Sequence, residues 1–229
     1  MTAPTTTAGT RWLACVYTCA AHAPWLDRFH ASAPGRYLRE RPDTRVVHVV
    51  ADPRVSPPGR IEEDRIVASA EERYAALSVK THRMIRTAVE QASFDALLKI
   101  DVTTVITRMD GPEYADRAAI DPEALLRFLR EANPALDYQG LMLHAAAGRD
   151  GAENWARKKG GAIDYQAVFG DCPMPPFYSG KCYLLSRRFA EYVAREGAPV
   201  AEEQRRLFLG SEDVMVGRLF QAFAAQDAA

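Results

Sequence analysis

The stretch Leu97-Leu98-Lys99-Ile100-Asp101-Val102-Thr103 brings a short apolar run to an end at an acidic residue. Short apolar runs bounded by polar residues are typical of buried strands, so we predict a strand over residues 96–100. A carboxylate at the tip of such a strand can bind a ribose hydroxyl or a metal-bridged diphosphate. It can equally cap the turn that follows the strand, and the strand alone leaves both roles of Asp101 open.

Strand-like and helix-like segments alternate on both sides of this stretch. An amphipathic helix is predicted over residues 70–92, because apolar side chains recur there at three- and four-residue steps. A second helix is predicted over residues 122–132, with Asp121 as its N-cap and Pro122 at its first position. Further strands are predicted over residues 12–18, 45–50, 65–68, 141–144 and 182–185. This alternation predicts an α/β fold in which helices flank a mainly parallel sheet.

Length and composition fit one domain. The chain has 229 residues, of which 48% are hydrophobic and 26% charged, an ordinary globular mixture. We predict a flexible tail over residues 1–10 and a single domain over residues 11–225. A polar, glycine-containing stretch at residues 148–161, which holds Trp155, is predicted to be a mobile loop. The cysteines have no metal-ligand spacing, and we interpret Cys15 as a buried thiol.

Charge and hydropathy narrow the range of partners. The formal net charge is -1, so no polyanion-binding surface is indicated and nucleic acid is not an expected partner. The longest apolar runs, such as residues 13–16 and 46–50, are too short to span a bilayer. The first ten residues lack the basic-then-apolar pattern of a signal peptide. We therefore expect no membrane span and a cytoplasmic location.

In open α/β sheets, ligands bind beyond the carboxyl ends of the parallel strands. This rule selects Thr18 and Asp52, which follow the first two predicted strands, together with Asp101. It also selects the turn at Ser179-Gly180, where small residues allow a backbone to approach a bulky polar ligand.

Two adjacent acids, Glu212 and Asp213, open a helical pattern near the end of the chain. One carboxylate there can point into a cleft while the other complements the helix dipole. The alternative is that both acids serve only the helix terminus.

Four blocks of this sequence, in order, resemble the β-1,3-galactosyltransferase family, which includes β-1,3-N-acetylglucosaminyltransferases and fringe-type enzymes. Residues 74–81 resemble its Y-x-N-L-T-x-K-T helix start, and residues 98–105 resemble its strand ending in K-x-D-D-D. Residues 175–186 resemble Y-P-P-Y-x-S-G-x-x-Y-x-x-S, and residues 212–217 resemble E-D-V-x-x-G. The resemblance implies a GT-A fold, a UDP-sugar donor and inversion at the anomeric carbon.

The resemblance also implies roles for particular residues. Asp213 would be the general base, and Glu212 would orient the acceptor or a loop. The donor would be contacted by four residues, Asp101, Thr103, Lys80 and Thr18. The acceptor, a glycan or a small glycoside, would be contacted by Tyr178, Ser179, Gly180 and Trp155. Phe177 is a further candidate for stacking on a sugar, although aromatic residues after prolines commonly pack in a core.

The sequence departs from the family at the acidic triplet, which here reads Asp101-Val102-Thr103. A neutral Thr103 is a poor ligand for Mn²⁺ or Mg²⁺, which favour charged oxygen donors, so Asp101 is left as the expected metal ligand. Either the metal binds weakly through the diphosphate, Asp101 and water, or cationic side chains replace it, or catalysis has been lost. The candidate replacements are Lys80, Lys99, Lys158, Lys159 and Lys181.

The function implied is an inverting transfer of a hexose, of galactose or N-acetylglucosamine type, from a UDP-sugar to an acceptor hydroxyl, forming a β-1,3 linkage. One alternative is a UDP-sugar-binding relative that lost activity with its triplet. Another is an unrelated nucleotide-dependent α/β enzyme. The chain contains neither G-x-x-x-x-G-K-[ST] nor G-x-G-x-x-G, which counts against that second alternative.

Overall fold

The computed structural model of the chain describes residues 11–19, 22–105, 120–158 and 163–227. The tail predicted at residues 1–10 lies outside the described residues. The described strands are β1 (Trp12–Tyr17), β2 (Thr44–Ala51), β3 (Gly59–Ile61), β4 (Arg65–Ala68), β5 (Ala96–Asp101), β6 (Tyr138–Gly140), β7 (Leu143–His144), β8 (Phe177–Tyr178) and β9 (Cys182–Ser186). The described helices are α1 (Trp25–Ala31), α2 (Ala33–Glu40), α3 (Leu77–Gln91), α4 (Pro122–Glu131), α5 (Arg149–Lys158), α6 (Tyr165–Phe169), α7 (Arg187–Leu207) and α8 (Glu212–Asp227).

Seven strands form one sheet in the order β3-β4-β2-β1-β5-β9-β6. The four neighbours β4, β2, β1 and β5 run parallel, whereas β3 and β9 pair antiparallel at either side of them. The mixed α/β fold with a mostly parallel sheet is therefore confirmed. The prediction that residues 141–144 form a strand of the main sheet is wrong. Only residues 143–144 form a strand, and they pair with β8 in a separate sheet. Residues 138–140 form the sheet edge instead.

Strand β1 shows why helices cover both faces of the sheet. Successive side chains of a strand point to opposite faces. Leu13, Cys15 and Tyr17 accordingly lie in the core cluster beneath α3, α7 and α8. Trp12 and Ala14, by contrast, lie in the cluster beneath α1, α2 and α4. The thiol of Cys15 is buried as predicted, and this burial raises its pKa.

The helix predictions succeed best where capping residues are present. Asp121 accepts a hydrogen bond from the backbone N–H of Glu123, and α4 begins at Pro122 as predicted. The helix predicted over residues 70–92 begins only at Leu77, after a short 3₁₀ turn over Tyr74–Ala76. The loop prediction for residues 148–161 is wrong, because Arg149–Lys158 is helix α5.

Parallel pairing brings the predicted ligand-binding positions to one edge of the sheet. Tyr17 is in register with Val49 of β2 and with Asp101 of β5, so the carboxyl ends of the three strands lie side by side. The backbone N–H of Asp101 donates to the carbonyl oxygen of Lys181, which places the segment before β9 against the tip of β5. In the part of the chain that the structure describes, no helix has the length and apolar character needed to cross a membrane.

Candidate active site

Asp213 lies in the first turn of α8 and contacts the small-residue turn before β9. Its Oδ2 accepts a hydrogen bond of 3.3 Å from the backbone N–H of Gly180, and its Oδ1 accepts one of 2.9 Å from the N–H of Val214. Two segments that are 33 residues apart in sequence therefore meet at this carboxylate. Asp213 is thus held against the Ser179-Gly180 turn, which the sequence predicts to contact the acceptor.

The space beneath Gly180 is filled by Glu212. A Cβ atom added at Gly180 would lie 2.1 Å from Oε1 of Glu212, a distance that no side chain tolerates. The small residue thus allows the backbone to approach a carboxylate of the protein itself. The sequence had suggested that this glycine makes room for a ligand.

A buried ion pair anchors both the turn and the acid. The ammonium of Lys99 lies 2.9 Å from Oε1 of Glu212, and it also donates to the carbonyl oxygen of Gly180. Lys99 is 1% exposed and Glu212 is 7% exposed. The carboxylate of Glu212 therefore supports the loop, which is one of its two predicted roles, and its burial disfavours direct contact with an acceptor.

Aromatic rings enclose the ammonium of Lys99. Its Nζ lies 4.6 Å from the ring centroid of Tyr17 and 5.7 Å from that of Tyr183. Cation–π attraction at such distances stabilises a desolvated ammonium. Burial alone would lower the pKa of Lys99, but the charges of Glu212 and Asp101 outweigh it and raise this pKa, so Lys99 stays charged.

The environment of Asp213 raises its pKa to about 7. Burial is the largest cause, and the neighbouring Glu212 carboxylate adds to it. The N–H groups of Gly180 and Val214 and the charge of Lys99 act in the opposite direction. A carboxyl group with a pKa near neutrality is suited to take up and release a proton at physiological pH.

Asp101, at the tip of β5, has the opposite electrostatic environment. Its Oδ1 accepts a hydrogen bond of 2.8 Å from the backbone N–H of Thr103, so it caps the 3₁₀ turn that follows the strand. Burial would raise the pKa of Asp101, but the charges of Lys99 and Lys181 and the bonds from Thr103 keep it below its usual value. The turn-capping role left open by the sequence is therefore observed, and this carboxylate is ionised.

The segment after Asp101 carries a lysine contact that the sequence did not predict. The ammonium of Lys181 donates to Oγ1 of Thr103, and Lys181 is only partly buried. Val102 between the two polar residues is fully buried in the apolar cluster against α1 and α4. The triplet therefore presents one carboxylate and one hydroxyl, with an ammonium against the hydroxyl.

Lys80 and Thr18, predicted at the donor site, are brought together at the end of β1. The ammonium of Lys80 lies 2.7 Å from the carbonyl oxygen of Thr18 and 2.6 Å from Oε1 of Glu72. Glu72 also accepts a 2.7 Å hydrogen bond from the N–H of Ala51, the last residue of β2. Lys80 therefore links the ends of two strands, and its exposure of 2% disfavours direct contact with a donor.

The acceptor candidates differ in how far they are exposed. Tyr178 is partly exposed, and its N–H donates to the hydroxyl of Tyr138 at 3.0 Å. Ser179 is also partly exposed, and its N–H bonds to the carbonyl oxygen of Met142. Phe177, in contrast, is buried and stacked on His144 at 4.8 Å, so the sugar-stacking prediction for it is wrong and the core-packing alternative holds.

Trp155 lies on helix α5, outside any described loop. Its ring stacks on that of Phe208 with a centroid distance of 5.3 Å and an angle of 5°. One face of the ring is therefore packed against another side chain. Trp155 is partly buried, and its role in acceptor binding stays a prediction. The side chain of Lys158 and the residue Lys159, both candidate replacements for a metal, lie outside the described residues.

Asp52, selected after the second predicted strand, and Gly217, in the last matched block, have structural roles. Asp52 is paired with Arg54 at 2.9 Å, and the hydrogen bonds from Arg54 lower the pKa of Asp52 to about 2. Gly217 allows α8 to approach β8, because a Cβ there would lie 2.7 Å from Cβ of Phe177.

The sequence reasoning missed Tyr17 and Tyr183, whose rings flank Lys99. The available signal was a lysine in the middle of an apolar strand.

One comparison with known proteins identifies the family of the chain. A family model described as Galactosyltransferase matches residues 55–228, which includes the β5 tip, the turn at Gly180 and the start of α8. The chain belongs to the Galactosyltransferase family, and it is a glycosyltransferase with a single GT-A-like domain. The search of curated proteins gave no significant match.

Proposed function

We propose that this glycosyltransferase moves a hexose, of galactose or N-acetylglucosamine type, from a UDP-sugar to an acceptor hydroxyl with inversion, forming a β-1,3 linkage. The acceptor is a glycan or a small glycoside. The observation that supports the proposal is the carboxylate of Asp213, which has a raised pKa and lies against the turn at Ser179-Gly180. The membership of the chain in the Galactosyltransferase family supports a sugar donor and an acceptor.

The chemistry of an inverting transfer needs one base on the acceptor side. The acceptor oxygen attacks the anomeric carbon, the bond from that carbon to the diphosphate breaks, and UDP leaves from the opposite face. Asp213 takes the proton of the acceptor hydroxyl as the new bond forms. A base with a pKa near 7 is ionised above neutral pH and yet basic enough to accept this proton.

The buried pair of Glu212 and Lys99 positions the base. The carboxylate of Glu212 holds the ammonium of Lys99 beneath the turn. Lys99 in turn donates to the carbonyl oxygen of Gly180. The N–H of the same glycine donates to the carboxylate of Asp213. The acid and the turn are thus fixed relative to each other through the N–H and the carbonyl group of one residue, Gly180. Such fixation reduces the reorganisation that the reaction would otherwise require.

One observation favours a second candidate, a UDP-sugar-binding relative with weakened catalysis. Asp101 is the single carboxylate of the triplet, and its Oδ1 is engaged by the turn. This candidate predicts UDP binding without transfer. The sugar-transfer proposal predicts both.

The experiment that tests the proposal is mass spectrometry of the purified protein with a panel of UDP-sugars and simple glycoside acceptors. Donor hydrolysis and a product heavier by one hexosyl unit are the two readouts. We expect one UDP-hexose to be consumed faster by the wild-type protein than by the Asp213→Asn variant. UDP binding by calorimetry without consumption of any donor would favour the second candidate and contradict the first.

A further inference from the structure

We propose that the acceptor is a small soluble glycoside with an apolar aglycone, an alkyl or aryl group, and that Met142 and Leu143 bind this group. These two residues are called the apolar pair below. The inference rests on the proposed function, because it names the class of acceptor that the site at Asp213 would serve.

The apolar pair is exposed although its side chains are large. In the part of the chain that the structure describes, Leu143 is 63% exposed and Met142, its neighbour in sequence, is 41% exposed. Exposed apolar surface is unfavourable in water, and contact with another apolar group removes this cost. Adjacent exposed apolar side chains at the rim of a candidate site therefore indicate a surface for an apolar ligand.

The pairing of β7 with β8 determines which side chains share a face with Leu143. Leu143 is in register with Tyr178, and His144 is in register with Phe177. Residues directly opposite each other in an antiparallel pair point to the same face. Phe177 is buried and stacked on His144. Leu143 therefore lies on the other face of the pair, together with Tyr178, which is an acceptor candidate.

A hydrogen bond joins the apolar pair to the turn that holds the proposed base. The N–H of Ser179 donates to the carbonyl oxygen of Met142 at 2.8 Å. The next residue, Gly180, donates its N–H to the carboxylate of Asp213. An acceptor with its reacting hydroxyl at Asp213 can therefore extend across the turn and place its aglycone against the apolar pair.

The chemistry of the apolar pair favours an aglycone over a further sugar of a glycan. Sugar hydroxyl groups need hydrogen-bond partners when they leave water. The side chain of Leu143 supplies none, and the thioether of Met142 is only a weak acceptor. An alkyl or aryl group needs no such partner, so its contact with the pair removes apolar surface from water without leaving a polar group unpaired.

The test compares the KM values of methyl, butyl and octyl glycosides of galactose, glucose and N-acetylglucosamine, below the concentrations at which octyl glycosides form micelles. The donor is the UDP-hexose that the wild-type protein consumes fastest. Leu143→Asn and Met142→Gln keep the approximate size of each side chain and replace apolar atoms with an amide. Leu136→Asn is the matched control, because Leu136 is 52% exposed but precedes β6, whereas the apolar pair follows that strand. Thermal melting checks the fold of each variant.

The KM of the wild-type protein is expected to fall about tenfold or more from the methyl to the octyl glycoside, with kcat little changed. Each methylene that is buried strengthens binding by up to about fourfold, and binding that is equal in the ground state and the transition state changes KM alone. Leu143→Asn should bring the ratio of the two KM values about tenfold closer to one. Met142→Gln should change it in the same direction, and Leu136→Asn should keep the wild-type ratio.

Equal KM values for the methyl and octyl glycosides, or a wild-type ratio in Leu143→Asn, would overturn the inference and leave sugar transfer intact. Sedimentation of the same proteins provides a second check. A wild-type dimer that Leu143→Asn dissociates without a change in the ratio would also overturn the inference, because a second copy of the chain would then cover the apolar pair. Absence of both transfer and donor consumption would contradict the proposed function, and the inference with it.

Discussion

Two aspartates at the same edge of the sheet have opposite electrostatic environments. Asp213, next to the carboxylate of Glu212, has its pKa raised to about 7, chiefly by burial. Asp101, near the ammonium groups of Lys99 and Lys181, has its pKa held below the usual value in spite of burial. Environments that separate the pKa values of two acids assign them different tasks. The difference teaches that the carboxyl group at the α8 terminus is suited to exchange a proton near neutral pH, whereas the one at the β5 tip holds a fixed charge.

The largest effect is expected from removing the proposed base. Asp213→Asn keeps one side-chain oxygen, which can accept from one of the two N–H groups that bond to Asp213, those of Gly180 and Val214, and it cannot take up the proton of the acceptor hydroxyl. We expect turnover to fall by ~10²–10⁴ with UDP affinity nearly unchanged. Steady-state rates with the donor and acceptor identified by the panel, and calorimetry with UDP, measure the two quantities. Turnover within a few-fold of wild type would remove Asp213 from the mechanism.

The ion pair beneath the turn should contribute strongly to stability. Lys99→Met leaves the carboxylate of Glu212 buried without its partner, which costs about 3–5 kcal/mol of unfolding free energy in comparable cases. The double variant Lys99→Met with Glu212→Gln removes the unpaired charge and should recover part of this loss. Urea denaturation of the two variants measures the difference. Equal stabilities would show that the pair does not support the turn.

A methyl group at Gly180 should force the turn and the α8 terminus apart. Its Cβ would lie 2.1 Å from Oε1 of Glu212, so we expect Gly180→Ala to lose about 1–3 kcal/mol of unfolding free energy. Gly148→Ala is the matched control, because a Cβ there meets nothing within 4 Å. Thermal melting in parallel compares them. A Gly180→Ala variant as stable as the control would mean that Glu212 is not held beneath Gly180.

The smallest effect is expected at the β5 tip. Asp101→Asn keeps an oxygen that accepts the N–H of Thr103 but removes the carboxylate charge. We propose that Asp101 contacts the ribose or the diphosphate, so UDP binding measured by calorimetry should weaken about two- to tenfold, while thermal stability without ligand changes little. UDP binding equal to that of wild type, together with earlier melting, would leave Asp101 as a structural cap alone.

The fold was predictable because its signals are local. The buried apolar strand β1 and the Asp121-Pro122 cap are each encoded within a few residues, and both predictions were confirmed in the structure. Helix α7 was not predicted, although Ser186 caps it by accepting the N–H of Phe189. It carries Pro199 in its interior, a residue that normally argues against a helix.

The site was predictable only in part, since its decisive contacts join distant segments. The sequence singled out Asp213 and Gly180 but could not show that they touch, or that Glu212 fills the space beneath the glycine. The pairing of Lys99 with Glu212 spans 113 residues, and no local pattern encodes it. A charged side chain inside an apolar strand indicates only that a partner must exist.

The pH dependence of kcat/KM for transfer tests the central claim, that Asp213 is a base with a raised pKa, most directly. A general base must be deprotonated in the free enzyme, so kcat/KM should be constant above neutral pH and fall about tenfold per pH unit below a midpoint near the pKa of about 7. The sign follows from burial, which favours the neutral acid and moves its loss of activity upward from the usual carboxyl range. A rate that stays constant down to pH 5 would contradict the account.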